Sequence, residues 1–262
     1  MSKWCSSSPP PQEQLRMYSS QIGGDTFIDY EKNEELSELL KGKKIALVGP
    51  STNLKDKKMG SFIDSFDLVI RPGQLTEIPK TEHEDYGSRT DIIFHSFNVW
   101  EKIIALKNLD FLSSLKYVIG CMVCVYECGE YKKFMNTLID SGVKFHKPDD
   151  RYIFKNFDAV GTTLSCGFSS LLLLLNYDID SVYLTGMDFY NMGKYGKVYR
   201  DDYYDTVTKN SMGFLGHNDS KNLSPSEART DLHDQPTQIE YLRELLKTET
   251  RIKLDEYLTE NL

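Results

Sequence analysis

The sequence predicts a single α/β domain built on a mostly parallel, doubly wound sheet with one inserted segment. Three observations carry this. Short apolar runs alternate with helical stretches along the chain. One stretch, Lys43–Arg71, fits a strand, a small-residue turn, a short helical crossover and a second strand into about 30 residues, the length of a βαβ unit. The alternation breaks once, over Tyr190–Leu232, where Tyr, Gly, Asn and Asp replace the aliphatics. That composition suits a lid or an inserted active-site segment.

Residues 1–24 are poor in apolar side chains and carry Ser6–Ser8 followed by Pro9–Pro11. They read as a disordered tail ahead of one domain spanning 25–262. Glu34–Leu40 has helical spacing. Ile45–Val48 is an apolar run without polar relief, as in a strand buried on both faces. Gly49-Pro50-Ser51 turns the chain, with Ser51 or Asn53 placed to cap the crossover helix. Asp67–Ile70 is the second strand, ending on Arg71, and Pro72–Gly87 reads as loop. Asp91–His95 is a third strand, followed by a helix over Val99–Leu106. Lys116–Val125 is a fourth strand, Glu130–Ser141 a helix and Val143–Phe145 a short fifth strand. A helix over Thr163–Asn176, a strand at Ser181–Thr185, a helix over Thr237–Lys247 and a strand at Arg251–Leu254 complete the pattern.

The balance of 31 Lys+Arg against 39 Asp+Glu, a net charge of −8, gives no clustered positive surface for nucleic acid. The densest basic group, Lys41–Lys44 with Lys55, Lys57 and Lys58, brackets the first turn. It is either a solvated face or an attractor for an anionic ligand. Five cysteines in a chain of this length do not read as a disulfide framework. No apolar run is long enough for a signal peptide or a membrane span. The expectation is a soluble, cytoplasmic protein.

Ligands of open α/β sheets sit at the carboxyl ends of the strands, where turns expose backbone N–H groups. Gly49, Ser51 and Asn53 are therefore a candidate nucleotide or phosphate turn, or simply a turn. The strand Ser181–Thr185 runs into Gly186, Asp188 and Tyr190, with Tyr195, Tyr199, Tyr203 and Tyr204 close behind. Phenols donate hydrogen bonds without adding charge, which suits a leaving phosphate; the alternative is that they half-bury in the lid. His217 lies in the inserted segment and His233 heads the helix HDQPTQIEYLRELL. The dipole at a helix N-terminus disfavours imidazolium, and a general base must be neutral. A surface capping role fits His233 equally on position alone.

Together these segments resemble the sialyltransferases. Lys44–Arg71 is similar to the long sialyl motif of the eukaryotic-type enzymes: VGNSGNL followed by IDS-D-V-R there, VGPSTNL and IDSFDLVIR here, with GSRTD at Gly87–Asp91 matching its distal part. Gly161–Leu175 resembles the short sialyl motif. Leu184–Tyr190 (LTGMDFY) and His233–Leu245 are closer to the bacterial sialyltransferases. The resemblance implies a Rossmann-like domain, a variant of the GT-A type, and inverting transfer of sialic acid or a related sugar from a CMP-sugar to a glycan hydroxyl, without a cofactor. It implies His233 as the base, Tyr190 as a phenol on the departing CMP phosphate, and Tyr195 or Tyr199 as the second. It implies Gly49, Ser51, Ser165 and Gly167 as nucleotide contacts, and His217 as a secondary candidate; their place at the strand exits adds Asn53, Gly186 and Asp188 as nucleotide-binding candidates.

The chain departs from the family at Pro50 and Gly73, which stand where the motif has nucleotide-contacting Asn residues. A different donor, such as CMP-Kdo or a pentose nucleotide, and a non-catalytic or pyrophosphate-handling role are the alternatives. Ile45 stands where Golgi enzymes carry a linking Cys, which fits a reducing compartment. Asp178-Ile179-Asp180 is a literal DxD, the signature of metal-dependent sugar-nucleotide transferases, but it precedes its strand and reads as a polar turn at the wrong end of the sheet. Cys121, Cys124 and Cys128 are spaced like metal ligands, yet Cys121 and Cys124 fall within an apolar strand pattern, and buried thiols are the expectation.

Overall fold

The computed structural model describes residues 32–97, 99–121, 129–189, 200 and 234–262. The expected tail lies outside these, as does the inserted segment except for Arg200. Tyr190, Tyr195, Tyr199, His217, His233, Cys5, Cys124 and Cys128 are outside them as well.

Seven strands form one sheet: β1 (Lys44–Val48), β2 (Leu68–Pro72), β3 (Ile92–His95), β4 (Tyr117–Gly120), β5 (Phe145–His146), β6 (Ser181–Thr185) and β7 (Ile252–Leu254). Their order is β5-β4-β3-β2-β1-β6-β7, and every pairing is parallel. The sheet is thus wholly rather than mostly parallel. The order reverses at β1, which lies between β2 and β6, so the crevice at the carboxyl ends of β1 and β6 is the topological switch point.

The continuous apolar runs reflect burial on both faces. Ile45, Leu47, Leu68, Ile70, Ile92 and Phe94 face one layer. It is formed by α1 (Glu34–Leu40), α7 (Asp150–Val160), α8 (Cys166–Leu175), α9 (Gln235–Leu246) and α10 (Glu256–Asn261). Their neighbours Ala46, Val48 and Val69 face the opposite layer, as do Ile93 and Val118. That layer holds α2 (Gly60–Asp64), α3 (His83–Tyr86), α4 (Val99–Lys107), α5 (Leu109–Ser114) and α6 (Gly129–Asp140). α8 is deeply buried: Ser165 caps it by accepting from the Phe168 amide, and Leu171–Leu174 are all buried.

Several boundaries differ from expectation. The fourth strand ends at Gly120, not Val125, and residues 122–128 are outside the described set. The supposed loop Pro72–Gly87 contains a 3-10 turn, Lys80–Glu82, and α3. The fifth strand is shifted to Phe145–His146. The helix expected from Thr163 begins at Cys166, because Ser165 takes the cap position. α5, α7 and α10 are additional to the elements that the sequence pattern predicts.

A polar clamp ties the end of the β1–β2 crossover to the crossover between β2 and β3. The Asp64 carboxylate accepts from the Ser88 amide (2.8 Å), the Ser88 hydroxyl (2.8 Å) and the Arg89 amide (3.0 Å). Burial pushes Asp64 up, but these bonds outweigh it and hold the carboxyl below its usual value. Arg89 returns bonds to the carbonyls of Asp64 (2.6 Å) and Phe66 (2.7 Å) and to Asp91 Oδ2 (2.8 Å). Arg71, 1% exposed, donates to the carbonyls of Tyr86 (2.6 Å) and Arg89 (2.9 Å).

Candidate nucleotide and active site

β1 and β6 run side by side into two glycine turns that lie back to back. The Gly49 amide donates to the Thr185 carbonyl (2.8 Å) and the Ser51 amide to the Gly186 carbonyl (2.9 Å). A Cβ on Gly49 would meet the Gly186 oxygen at 2.3 Å. One on Gly186, whose φ is +65°, would meet the Gly49 oxygen at 2.5 Å. Only glycine allows this approach. The Ser51 hydroxyl donates to Asp188 Oδ2 (2.8 Å), both side chains being buried. The Asn53 amide nitrogen Nδ2 donates to the Met187 carbonyl (3.2 Å), and the Tyr86 hydroxyl to the Ser51 carbonyl (2.8 Å). Five of the expected contacts, Gly49, Ser51, Asn53, Gly186 and Asp188, therefore form one cluster.

Gly167 sits in the first turn of α8, where an added Cβ would lie 3.4 Å from Met187 Cε and 3.9 Å from Pro72 Cγ. This brings the head of α8 beside the exits of β2 and β6. Ser165 is held there by Gln238, fully buried in α9, whose Oε1 lies 3.2 Å from both the Ser165 amide and its hydroxyl. The cap of α9, Asp234, accepts from the Thr237 amide (3.2 Å), and its own amide donates to Thr162 Oγ1 (3.2 Å). α9, the helix expected to open with His233, is thus tied at its first turn to the residues heading α8.

Sequence reasoning missed four groups. Asp255, at the end of β7, accepts from the Thr185 hydroxyl (2.8 Å) and the Gly186 amide (3.3 Å), and caps α10 through the Leu258 amide. Burial raises its pKa, and those hydrogen bonds oppose the rise without cancelling it. Arg200, 3% exposed, donates from its amide to the Pro50 carbonyl (2.9 Å) and from Nη2 to Gln74 Oε1 (2.8 Å). Its guanidinium lies 4.7 Å from the centroid of the Tyr86 ring. Gln238 and Tyr86 are the others. Only Asp255, an acid directly before a short helix, had a local signal, that of an N-cap.

Other sequence signals lie away from this cluster. The DxD is at the amino end of the sheet: the Gly42 amide bonds the Asp178 carbonyl (2.6 Å), the Asp180 amide bonds the Lys43 carbonyl (3.0 Å), and both aspartates are exposed. The basic group is split. Lys43 and Lys44 sit at the opposite end of β1 from the turn, while Lys57 pairs with Glu256 (3.6 Å) and Lys58 with Glu84 (3.1 Å) on the surface. Cys121 is half-buried rather than fully buried because β4 ends before it, and its Sγ lies 3.5 Å from that of Cys166. Among the described residues, no group of three or more His, Cys, Asp or Glu side chains is arranged to hold a metal, and no helix is long and apolar enough to cross a membrane.

The family model for Glycosyltransferase family 29 (sialyltransferase) matches residues 27–120, from ahead of α1 to the end of β4. The structure is similar to that of a mammalian sialyltransferase in complex with Gal-beta-1-3GalNAc-ortho-nitrophenol, at 17% identity and a TM-score of 0.50, over 97% of this chain and 81% of that one. A second mammalian sialyltransferase structure matches at 16% identity and a TM-score of 0.52, over 96% and 81%. The chain has the sialyltransferase-like fold. Sialyltransferase CstII from Campylobacter jejuni, in complex with the substrate analogue cytidine-5'-monophosphate, matches at 19% identity and a TM-score of 0.49, over 82% and 79%. No curated protein matches in sequence. The paired turns and the head of α8 hold the residues for which the resemblance implies long-motif and short-motif contacts, whereas GSRTD belongs to the clamp.

Proposed function

We propose that this chain is an inverting, metal-independent glycosyltransferase that moves sialic acid or a related sugar from a CMP-sugar to a glycan hydroxyl, in the cytoplasm. The observation that carries the reading is the pair of glycine turns at the switch point, with Ser51 and Asp188 bonded across it and the head of α8 alongside. In this reading the turns and the α8 amides bind the nucleotide. Tyr190, with Tyr195 as second phenol, donates to the phosphate as the glycosidic oxygen departs. His233 takes the acceptor proton while the hydroxyl attacks the anomeric carbon from the opposite side. A CMP-sugar releases a single phosphate, so neutral donors suffice where nucleoside diphosphates usually need a cation. The bonds from Asp234 to Thr162 and from Ser165 to Gln238 support His233 as the base, because they hold the residue after it beside the nucleotide cluster.

One observation favours a second reading, transfer from another nucleotide sugar such as CMP-Kdo or a pentose donor. Pro50 and Gly73 stand where the resembling motif has its nucleotide-contacting asparagines, and Arg200 binds the carbonyl of the first and the neighbour of the second, Gln74. That is a different set of polar groups from two asparagines. Thermal unfolding with CMP, UDP and GDP, with and without EDTA, separates the readings. CMP at 100 times its Kd stabilises the native state by about 2.7 kcal/mol, an effect expected to survive EDTA. His233→Ala is expected to lower turnover ~10²–10⁴-fold with CMP stabilisation retained. Near-normal turnover in that variant would remove His233 from the chemistry.

A further inference from the structure

We propose that Cys121 and Cys166 form a reversible dithiol–disulfide site, oxidised by a small-molecule disulfide of the glutathione type. The proposal does not depend on the glycosyl-transfer reading. Cys121 comes directly after the last residue of β4, where its amide donates to the His95 carbonyl (3.0 Å). Cys166 is the first residue of α8. The two residues are 45 positions apart in the sequence, yet their sulfurs lie 3.5 Å from each other. A disulfide bond of about 2.05 Å requires the sulfurs to close by only about 1.5 Å, within the reach of side-chain rotation and small shifts. Both residues are partly exposed, so a small oxidant has access.

The two sulfurs differ in their surroundings. Helix N-termini favour thiolate charge, which makes Cys166 the attacking sulfur. Its thiolate attacks one sulfur of the glutathione disulfide, forming a mixed disulfide and releasing one glutathione thiolate. The Cys121 thiolate then attacks the Cys166 sulfur and releases the second. Two protein thiols are oxidised to one disulfide, one small disulfide is reduced to two thiols, and the two protons lost from the cysteines pass to the released thiolates. The bond ties the carboxyl end of β4 to the helix turn that carries Ser165 and Gly167.

The test uses the full chain and a Cys124→Ser/Cys128→Ser variant, since those cysteines compete for Cys121 by sequence proximity. Each is incubated with oxidised glutathione, its remaining thiols are alkylated, and it is digested without reductant for mass spectrometry. The expected result is the loss of two alkylatable thiols and a linked peptide joining Cys121 to Cys166 in both proteins, reversed by dithiothreitol. In Cys121→Ser, Cys166 is expected to stop at a stable glutathione adduct. Absence of the linked peptide, a persistent glutathione adduct in the unsubstituted chain, or a link from Cys121 to Cys124 or Cys128 in its place would overturn the proposal.

Discussion

Asp64, Arg71 and Arg89 in one cluster, and Ser51, Asn53 and Asp188 in another, are polar groups drawn from motif-like segments of the same sheet. The first cluster ties the end of the β1–β2 crossover to the β2–β3 crossover, through partners no more than 25 residues apart. Its side chains are directed mainly at backbone carbonyls and amides of those two crossovers. The second joins residues 137 positions apart and lies where two turns open at the switch point. The difference teaches that the most specific part of the resemblance, IDSFDLVIR with GSRTD, is scaffold. Its arginines and aspartates hold two crossovers together, and in the proposed reading the ligand is left to shorter signatures that the fold brings together.

The sharpest way to break this comparison is Arg71→Met. It leaves the Tyr86 and Arg89 carbonyls short of a donor. It should cost about 3 kcal/mol in urea-unfolding free energy, with CMP stabilisation intact in the folded protein. Lost CMP binding at unchanged stability would move Arg71 from scaffold to site.

Acid sharpens the comparison next, through a residue outside both clusters. Burial, aided by Lys147, holds His146 down at about 4 in the folded state, against an ordinary value of 6.5. Its contribution is present above pH 6.5 and is lost as pH falls toward 4, because only the unfolded chain then takes up a proton. Allowing for screening at a partly exposed ring, the loss is about 2 kcal/mol. A His146→Asn variant should flatten urea-unfolding stability across that window. Asp64, with its pKa lowered from 3.8, has its contribution in place above that value and loses it only at lower pH. The clamp should therefore persist through the window in which His146 acts.

Ser51→Ala tests the other cluster. Removing the hydroxyl that donates to Asp188 should cost about 1 kcal/mol of stability and weaken CMP roughly tenfold by titration. Unchanged affinity would make the paired turns scaffold too. The smallest effect belongs to the amino end of the sheet. Asp178→Ala and Asp180→Ala, both at exposed positions, should stay within about 0.5 kcal/mol of the parent. Turnover in EDTA should be unchanged; a loss rescued by Mn²⁺ would overturn the metal-independent reading.

The legible part of the fold was what burial on both sheet faces writes into consecutive residues. Ile45–Val48, Leu68–Ile70 and Ile92–Phe94 are buried throughout, so their strands stood out as apolar runs. α7 did not, because its buried positions Tyr152, Ile153 and Val160 are separated by Lys155, Asn156 and Asp158, and it opens at Asp150, directly after Pro148 and Asp149. α10 is six residues long with Leu258 its one buried residue, too short for a periodic pattern. In the site, the glycine turns were readable because glycine after a strand is a local signal. Arg200, Gln238 and Asp255 were not, since each takes its meaning from a partner far away in the sequence: Gln74 is 126 residues from Arg200, Ser165 is 73 from Gln238 and Thr185 is 70 from Asp255.

The place of β1 in the sheet also sets an order of events during synthesis. β1 meets β2 after one short crossover, but its other edge pairs with β6, from Lys44 against Ser181 to Val48 against Thr185. A growing chain therefore carries β1 with one edge unpaired until β6 leaves the ribosome. Contacts of such long sequence separation form slowly, because loop-closure entropy opposes them before they reward it. The paired turns at Gly49 and Gly186 do not exist in any earlier intermediate, so a ligand bound there, as proposed, can stabilise only a nearly completed chain, and an exposed β1 edge is the surface a chaperone would need to shield.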